Sequence, residues 1–371
     1  IIAFCKLGLP TFYLREFAKD GHNSKLAGLF TISIPITFVL SLSTSLLLSN
    51  FIPEDLKLAT SFMVIYSFSS ILIEILSARL RASGEFLNIV ASETLLKNGL
   101  IFIGLILLYN TSNVLVSSIF FIYLLPNILL TLYFTFLCIR NGLLKKGIFV
   151  SSYLVKSLKE DIFPLSGHNI FQMTTNRSYY LILNFFLMYE LAAIFRLSMS
   201  FSQIVTYVSV TLALYFSPKL AKELAEEERK TTEKKIIKVN ILSFVTSMIL
   251  ALCTLLILTI FAFRNPFTID LFAIINILIY VYIPIIMGNL FALNGTSLLM
   301  MGKSLQVMKV NMLNTLLNFL IGPFLISNLE SFGLIVIISM NYLTTNLLFN
   351  YLLKKENINL YNFNGVSLKN H

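Results

Sequence analysis

The sequence predicts an all-α polytopic membrane protein, and three observations predict it. The chain has 371 residues, of which 57% are hydrophobic and only 12% charged, about half the charged share of a soluble domain. Its mean hydropathy is +0.82. The apolar residues fall in runs of around 20, the length a helix needs to cross about 30 Å of hydrocarbon. These runs do not alternate with polar residues, which argues against the strands of a membrane barrel.

In chain order, the opening "IIAFCKLGLPTFYLREFA" is too short to span a bilayer with its charges and has no signal-peptide pattern. It reads as the end of a span finishing near Arg15, with upstream residues absent. Ten full spans follow, at 26–49, 57–79, 87–109, 113–138, 161–186, 190–216, 239–263, 269–297, 304–327 and 331–353. No loop between them is large enough for a soluble domain. Cys5, Cys138 and Cys253 each sit in an apolar run without a nearby Cys or His, so no disulfide or metal pattern exists and no cofactor is expected.

Basic residues orient the bundle. Alternate loops contain Arg15, Lys19 and Lys25; Arg79 and Arg81; Arg140, Lys145, Lys146, Lys156 and Lys159; and a run from Lys219 to Lys238. Lys303 and the tail lysines complete that side, whereas the opposite loops hold only Lys57 and Arg264. The first set is therefore cytoplasmic, with the C-terminus. The net charge of +10 reflects this topology and attraction to anionic lipid headgroups; nothing calls for nucleic acid. "GIFVSSYLVKSLKEDIF" has apolar residues at helical spacing against lysines, and can lie in the interface plane as an amphipathic helix or serve as a solvated connector. "SPKLAKELAEEERKTTEKKIIK" extends a membrane helix into the cytoplasm with Glu and Lys three and four apart.

The segment 81–110 can be laid over 299–327 at a constant offset, with Gly84 on Gly302, Leu87 on Leu305 and Asn88 on Gln306. Each copy leaves the membrane on the cytoplasmic side, turns at a glycine and returns. Like-oriented copies imply parallel repeats about an axis along the membrane normal, a plan used by alternating-access transporters.

At this point the chain resembles a family. "LGLPTFYLREFAKDG", "SARLRASGEFLNIV", "MTTNRSYYLILNFFLMYELAAIFRLSMSFSQIV", "ALYFSPKLAKEL" and "LNGTSLLMMGKSLQVMKVNMLNTLLNFLIG" look like Wzx-type polysaccharide (O-antigen) flippases of the multidrug/oligosaccharidyl-lipid/polysaccharide (MOP) exporter superfamily. The resemblance covers essentially the whole chain. It implies two six-helix lobes around a central cavity, a MATE-like plan from which this chain lacks the first helix and part of the second. The lobes would be 1–139 and 161–354, with a connector at 140–160 and a cytoplasmic tail at 355–371. It also implies a substrate, an undecaprenyl-diphosphate-linked oligosaccharide crossing the bacterial inner membrane. Polysaccharide polymerase and chain-length machinery would be partners.

Charges inside spans are costly, at least about 2.5–3.5 kcal/mol each at the bilayer centre, and long ones near a helix end can snorkel to the headgroups. Lys97 lies near mid-span, four residues after Glu93, where the two either pair structurally or line the cavity. Lys6 also lies near mid-depth, and Lys309 near the cytoplasmic end, where it snorkels. Arg177 and Arg196 fall in the outer halves of adjacent antiparallel helices. Arg binds phosphate oxygens in a bidentate fashion and Lys binds them as a point charge. Arg177, Arg196, Lys97 and Lys6 are thus the expected headgroup contacts, the alternative being a structural role. The resemblance adds Arg15 at the cytoplasmic mouth, where a plain positive-inside residue would look the same.

For ion coupling the candidates are Glu93, Glu74 and His168. Similar proteins often place an Asp beside the arginine matching Arg177, but "TTNRSYY" has no acid. No Gly-rich phosphate loop, HExxH or metal-spaced cluster occurs, so no enzyme is expected. Two further readings remain open: a cation-coupled multidrug exporter, and a membrane polysaccharide polymerase or ligase, which would carry a large charged outer loop.

Overall fold

The computed structural model describes residues 6–19, 24–50, 57–109, 116–144, 151–226, 229–264, 271–358 and 360, and every regular element among them is a helix. In chain order these are α1 (Leu9–Lys19), α2 (Ser24–Ser49), α3 (Lys57–Ala82), α4 (Phe86–Val90), α5 (Lys97–Tyr109) and α6 (Val116–Arg140). Then come α7 (Ser151–Ser157), α8 (Phe163–Phe185), α9 (Tyr189–Ala225), α10 (Arg229–Arg264), α11 (Leu271–Asn289), α12 (Asn294–Met300) and α13 (Ser304–Lys355). A π-helical segment, Ala91–Leu96, joins α4 to α5, and another, Leu158–Ile162, joins α7 to α8. Cys5, Lys145, Lys146 and the predicted tail beyond Leu360 lie outside the described residues.

Eight of the described helical runs are long and apolar enough to cross a membrane, and the ten predicted spans map onto them with two adjustments. First, α13 covers both 304–327 and 331–353, but its backbone leaves helical geometry at Glu330 (φ 46, ψ −120). The two limbs fold back on each other: Asn318 pairs with Asn341 and Asn314 with Thr345, nearly symmetrically about Glu330. A Cβ on Gly333 would sit 2.2 Å from the Leu325 carbonyl oxygen, so this reversal requires glycine. Second, α8 matches the predicted 161–186 span but is too polar to count by hydropathy, with His168, Gln172, Thr174, Thr175, Asn176 and Arg177 along it.

One predicted span is corrected. The stretch 269–297 is not one helix: α11 ends at Asn289 and α12 begins at Asn294. The residues between make i→i−3 bonds, such as Phe291 N–H to the Gly288 carbonyl at 3.0 Å. Side chains of α10 hold the break, since Asn240 Oδ1 accepts from the Leu293 N–H at 2.9 Å and Asn289 donates to Ser247 at 2.6 Å. Buried side-chain partners therefore replace the lost helical bonds. The polar extension of α9 runs to Ala225 and meets that of α10 through the Lys235–Glu223 ion pair.

The chain divides into two compact units, 1–170 and 171–371. The first packs α1 on α2 and α3 through Tyr13, Phe17 and Phe30, with ring centroids 5.1 to 5.9 Å apart, and the Arg79 guanidinium lies 3.7 Å over the Phe17 ring. The second unit has an apolar core around Leu183, Phe195, Leu278, Tyr282 and Ile326.

The predicted repeat is visible within each unit. Gly84 (φ +97) and Gly302 (φ +80) both end a helix in the left-handed conformation, which glycine adopts without steric cost. Around them the hydrogen bonds match. Glu85 N–H reaches the Leu80 carbonyl and Gly84 N–H that of Arg81; Lys303 N–H reaches Leu298 and Gly302 N–H reaches Leu299. This is the Schellman termination. It recurs at Gly142 in one unit and Asn357 in the other. The residues flanking the paired turns also touch in the same way, Asn141 on Glu85 at 3.5 Å and Lys303 on Glu356 at 2.6 Å.

Candidate functional site

Five of the predicted site residues gather inside the first unit. Lys6 Nζ pairs with Glu74 Oε2 of α3 at 3.1 Å. Three and seven residues along, Ser77 and Arg81 lie on the same face of α3. Arg81, 9% exposed, donates from Nε to the Ser77 carbonyl at 3.2 Å and from Nη2 to the Ser77 hydroxyl at 3.0 Å. That hydroxyl donates to the Glu74 carbonyl at 3.1 Å, and Glu93 lies in the field of Arg81, Glu74 and Lys97. Lys97 in turn interacts with Glu93 and Glu74, and His168, in the first turns of α8, lies near Lys6.

Glu93 and Lys97, expected to stack four apart, form no direct ion pair among the described residues. The π segment Ala91–Leu96 widens the turn between them, so i and i+4 lose their register. Such π-bulges occur often at functional sites. The result is a web of three cations (Lys6, Arg81, Lys97) against two carboxylates (Glu74, Glu93), held on α3, the α4–α5 segment and the turn that precedes α1. A surplus cation of this kind, at low dielectric, can hold an oxyanion.

Arg15 stands apart from this web. Its side chain is 4% exposed and its guanidinium meets Asp161 at 2.8 Å and Glu16 at 2.6 Å. Two carboxylates already balance it, and the bond to Asp161 fastens the segment after α7 onto α1. Tyr153 of α7 is drawn into the same place, and burial, with Glu16 nearby, pushes its phenol pKa up.

In the second unit the interior polar groups are neutral. Thr175 and Thr315 share a hydrogen bond of 2.8 Å; Asn318 donates to Ser178 at 2.8 Å; Asn341 donates to the Tyr179 hydroxyl at 2.6 Å and to Asn318 Oδ1 at 2.9 Å. This network ties α8 to both limbs of α13. Arg177 lies on the other side of α8 and is exposed, as is Arg196 of α9. Both act electrostatically on the Tyr180 phenol, so these two arginines of the second unit share one aromatic neighbour within their field. Lys309 is exposed, consistent with its expected reach toward headgroups.

Sequence reasoning missed three features. Arg79 and Arg81 were assigned to a cytoplasmic loop, yet both lie in the last turn of α3 and are 9% exposed; two arginines ending an apolar helix satisfy the positive-inside pattern whether or not they are buried. Asp161 was passed over because its partner is 146 positions away. The asparagines were signalled by Asn311, Asn314 and Asn318, three and four apart within an apolar run.

No protein-family profile matches the chain, and no curated protein matches it. Solved structures do. The chain is similar to the MATE transporter VcmN from Vibrio cholerae in its bent form, at 13% identity and a TM-score of 0.72, over 97% of this chain and 86% of that one. It is also similar to a MOP superfamily transporter from Pyrococcus furiosus described as having a binding pocket of reverse polarity that suggests a different function, at 10% identity and a TM-score of 0.69, over 96% of this chain and 84% of that one. A third is a multidrug resistance MATE family transporter of the MOP superfamily in an outward-facing conformation, at 14% identity and a TM-score of 0.68, over 96% and 83% of the two chains. The chain therefore has the fold of the MATE transporters of the MOP superfamily, a two-lobed, all-helical, multi-pass membrane architecture.

Proposed function

We propose that this protein is a flippase carrying an undecaprenyl-diphosphate-linked oligosaccharide from the cytoplasmic to the outer leaflet of a bacterial inner membrane by alternating access. It would supply surface polysaccharide synthesis, beside a polymerase and chain-length machinery. The observation that carries this reading is the sign of the charge away from the loops. Three cations face two carboxylates in the first unit, and Arg177 and Arg196 both act on Tyr180 in the second. A diphosphate between a polyprenyl tail and a sugar chain needs cationic contacts that hold without trapping. Arg177, Arg196, Lys97 and Lys6 supply them in this reading, and Arg15, committed to two carboxylates, acts as a clamp.

A second reading, a cation-coupled multidrug exporter, draws support from the carboxylates Glu74 and Glu93 within the first unit's helices. Proteoliposomes separate the two. Under the first reading they flip a fluorescent lipid-linked oligosaccharide, Arg177→Ala abolishes flipping at unchanged protein abundance, and Arg177→Lys partly restores it. Wild-type glycan levels with Arg177→Ala would remove Arg177 from the mechanism. Accumulation of a cationic dye without lipid flipping would favour the exporter. If Glu93 couples transport to an ion, Glu93→Gln weakens the dependence on pH or Na⁺ gradients; an unchanged dependence would remove it.

A further inference from the structure

The segment from α7 to the start of α8 has two faces of different kind. Its inner face is fixed in the first unit: Ser157 is buried, Ile162 is 2% exposed, and Asp161 holds Arg15 at 2.8 Å. Its outer face carries Val155 (64% exposed), Leu158 (40%) and Phe163 (74%) beside the exposed Lys156 and Lys159. A groove of about 490 Å³ is lined by Ser152, Val155, Lys156, Lys159 and Glu160. An adjoining one of about 370 Å³ is lined by Val155, Leu158, Lys159 and Phe163. Val155 and Lys159 belong to both, so a charged end and an apolar end form one continuous surface.

We propose that this surface binds an acidic glycerophospholipid, phosphatidylglycerol, as a site separate from the transport path. The phosphate diester lies between the Lys156 and Lys159 ammonium groups, which attract an anionic headgroup near the membrane surface. An acyl chain follows Val155, Leu158 and Phe163, as apolar residues of interfacial helices dip below the headgroups. Glu160 would repel a second anion, but it can accept a hydrogen bond from a glycerol hydroxyl, which a choline headgroup cannot provide. Because Asp161 and Arg15 clamp this segment to α1, the bound lipid would hold the segment in the membrane surface rather than let it swing as a linker.

Native mass spectrometry of the full chain, released from detergent after incubation with phosphatidylglycerol, phosphatidylethanolamine or phosphatidylcholine, tests the proposal. Phosphatidylglycerol should be retained best. Lys156→Gln with Lys159→Gln should lower its retention roughly tenfold, since each basic residue at an anionic surface contributes about a factor of five before screening. The Arg pair at the same positions should retain it, which controls for folding. Val155→Ser with Phe163→Ser should lower retention of all three lipids. Equal retention of phosphatidylglycerol and phosphatidylcholine by the wild type, or unchanged retention in the double Gln variant, would overturn the proposal. So would retention of undecaprenyl diphosphate in preference to phosphatidylglycerol through these lysines, because the surface would then belong to the transport path. Loss of flipping with lipid retention intact would count against the flippase reading alone.

Discussion

Around Gly84 in the first unit and Gly302 in the second, the backbone makes the same turn through the same hydrogen bonds, yet the helices leading into and out of those turns carry different chemistry. At the offset that places Gly84 on Gly302, Arg81 falls on Leu299, Glu93 on Asn311 and Lys97 on Thr315. The first unit thus carries charge, buried at Arg81 and half-buried at Glu93 and Lys97, where the second has an aliphatic, an amide and a hydroxyl. The second unit satisfies its interior polar groups with a neutral ladder of Asn, Thr, Ser and Tyr. Since the neutral version builds the same turn, the turn itself does not need the charges. Buried charge costs several kcal/mol per ion unless well paired, so its confinement to one unit points to work beyond packing.

Three predictions sharpen that contrast, from the largest effect to the smallest. Arg81→Ala should destabilise the protein by about 3 kcal/mol, because it removes the buried cation that faces Glu93 and leaves Ser77 without its partner; thermal unfolding in detergent reads this, and an unchanged midpoint would mean the web is not a coupled unit. Asn318→Leu, in the neutral network, should cost about 2 kcal/mol by leaving Asn341 and Ser178 with lost partners. It should leave the ion dependence of transport alone, and a changed dependence would place charge handling in the second unit too. Gly84→Ala and Gly302→Ala should each cost about 1 kcal/mol, the penalty of a left-handed backbone with a side chain. Nothing lies within 4 Å of a Cβ on Gly84, so there backbone strain alone acts; a cost confined to one of the two would break the equivalence of the turns.

Most of the fold was legible because bilayer crossing leaves a long, low-charge signature. Most of the spans and the matching glycine turns at Gly84 and Gly302 followed from it. The break between α11 and α12 was not, because "MGNLFALNGTSLLM" carries no charge to interrupt the span and the groups that hold the break, Asn240 and Ser247 of α10, are remote in sequence. The reversal at Glu330 was placed correctly by "SNLESFG", a polar and glycine-containing gap between apolar runs. For the site, depth arguments selected Lys6, Glu74, Glu93, Lys97 and His168 one by one, but could not show that they meet. That depended on which face of α3 each partner reached. Arg81 escaped for the same reason, since a helix-end arginine reads as a loop charge until its side chain is seen folded back onto Ser77.

The most direct test imports the second unit's residues into the first. In proteoliposomes, Glu93→Asn combined with Lys97→Thr makes these two positions match Asn311 and Thr315. With unfolding midpoints close to wild type, flipping of an undecaprenyl-diphosphate-linked oligosaccharide should fall at least about tenfold, the equivalent of one lost charge contact of roughly 1.4 kcal/mol. Flipping at the wild-type rate by that folded variant would contradict the account, because the charge confined to the first unit would then have no part in moving the anion.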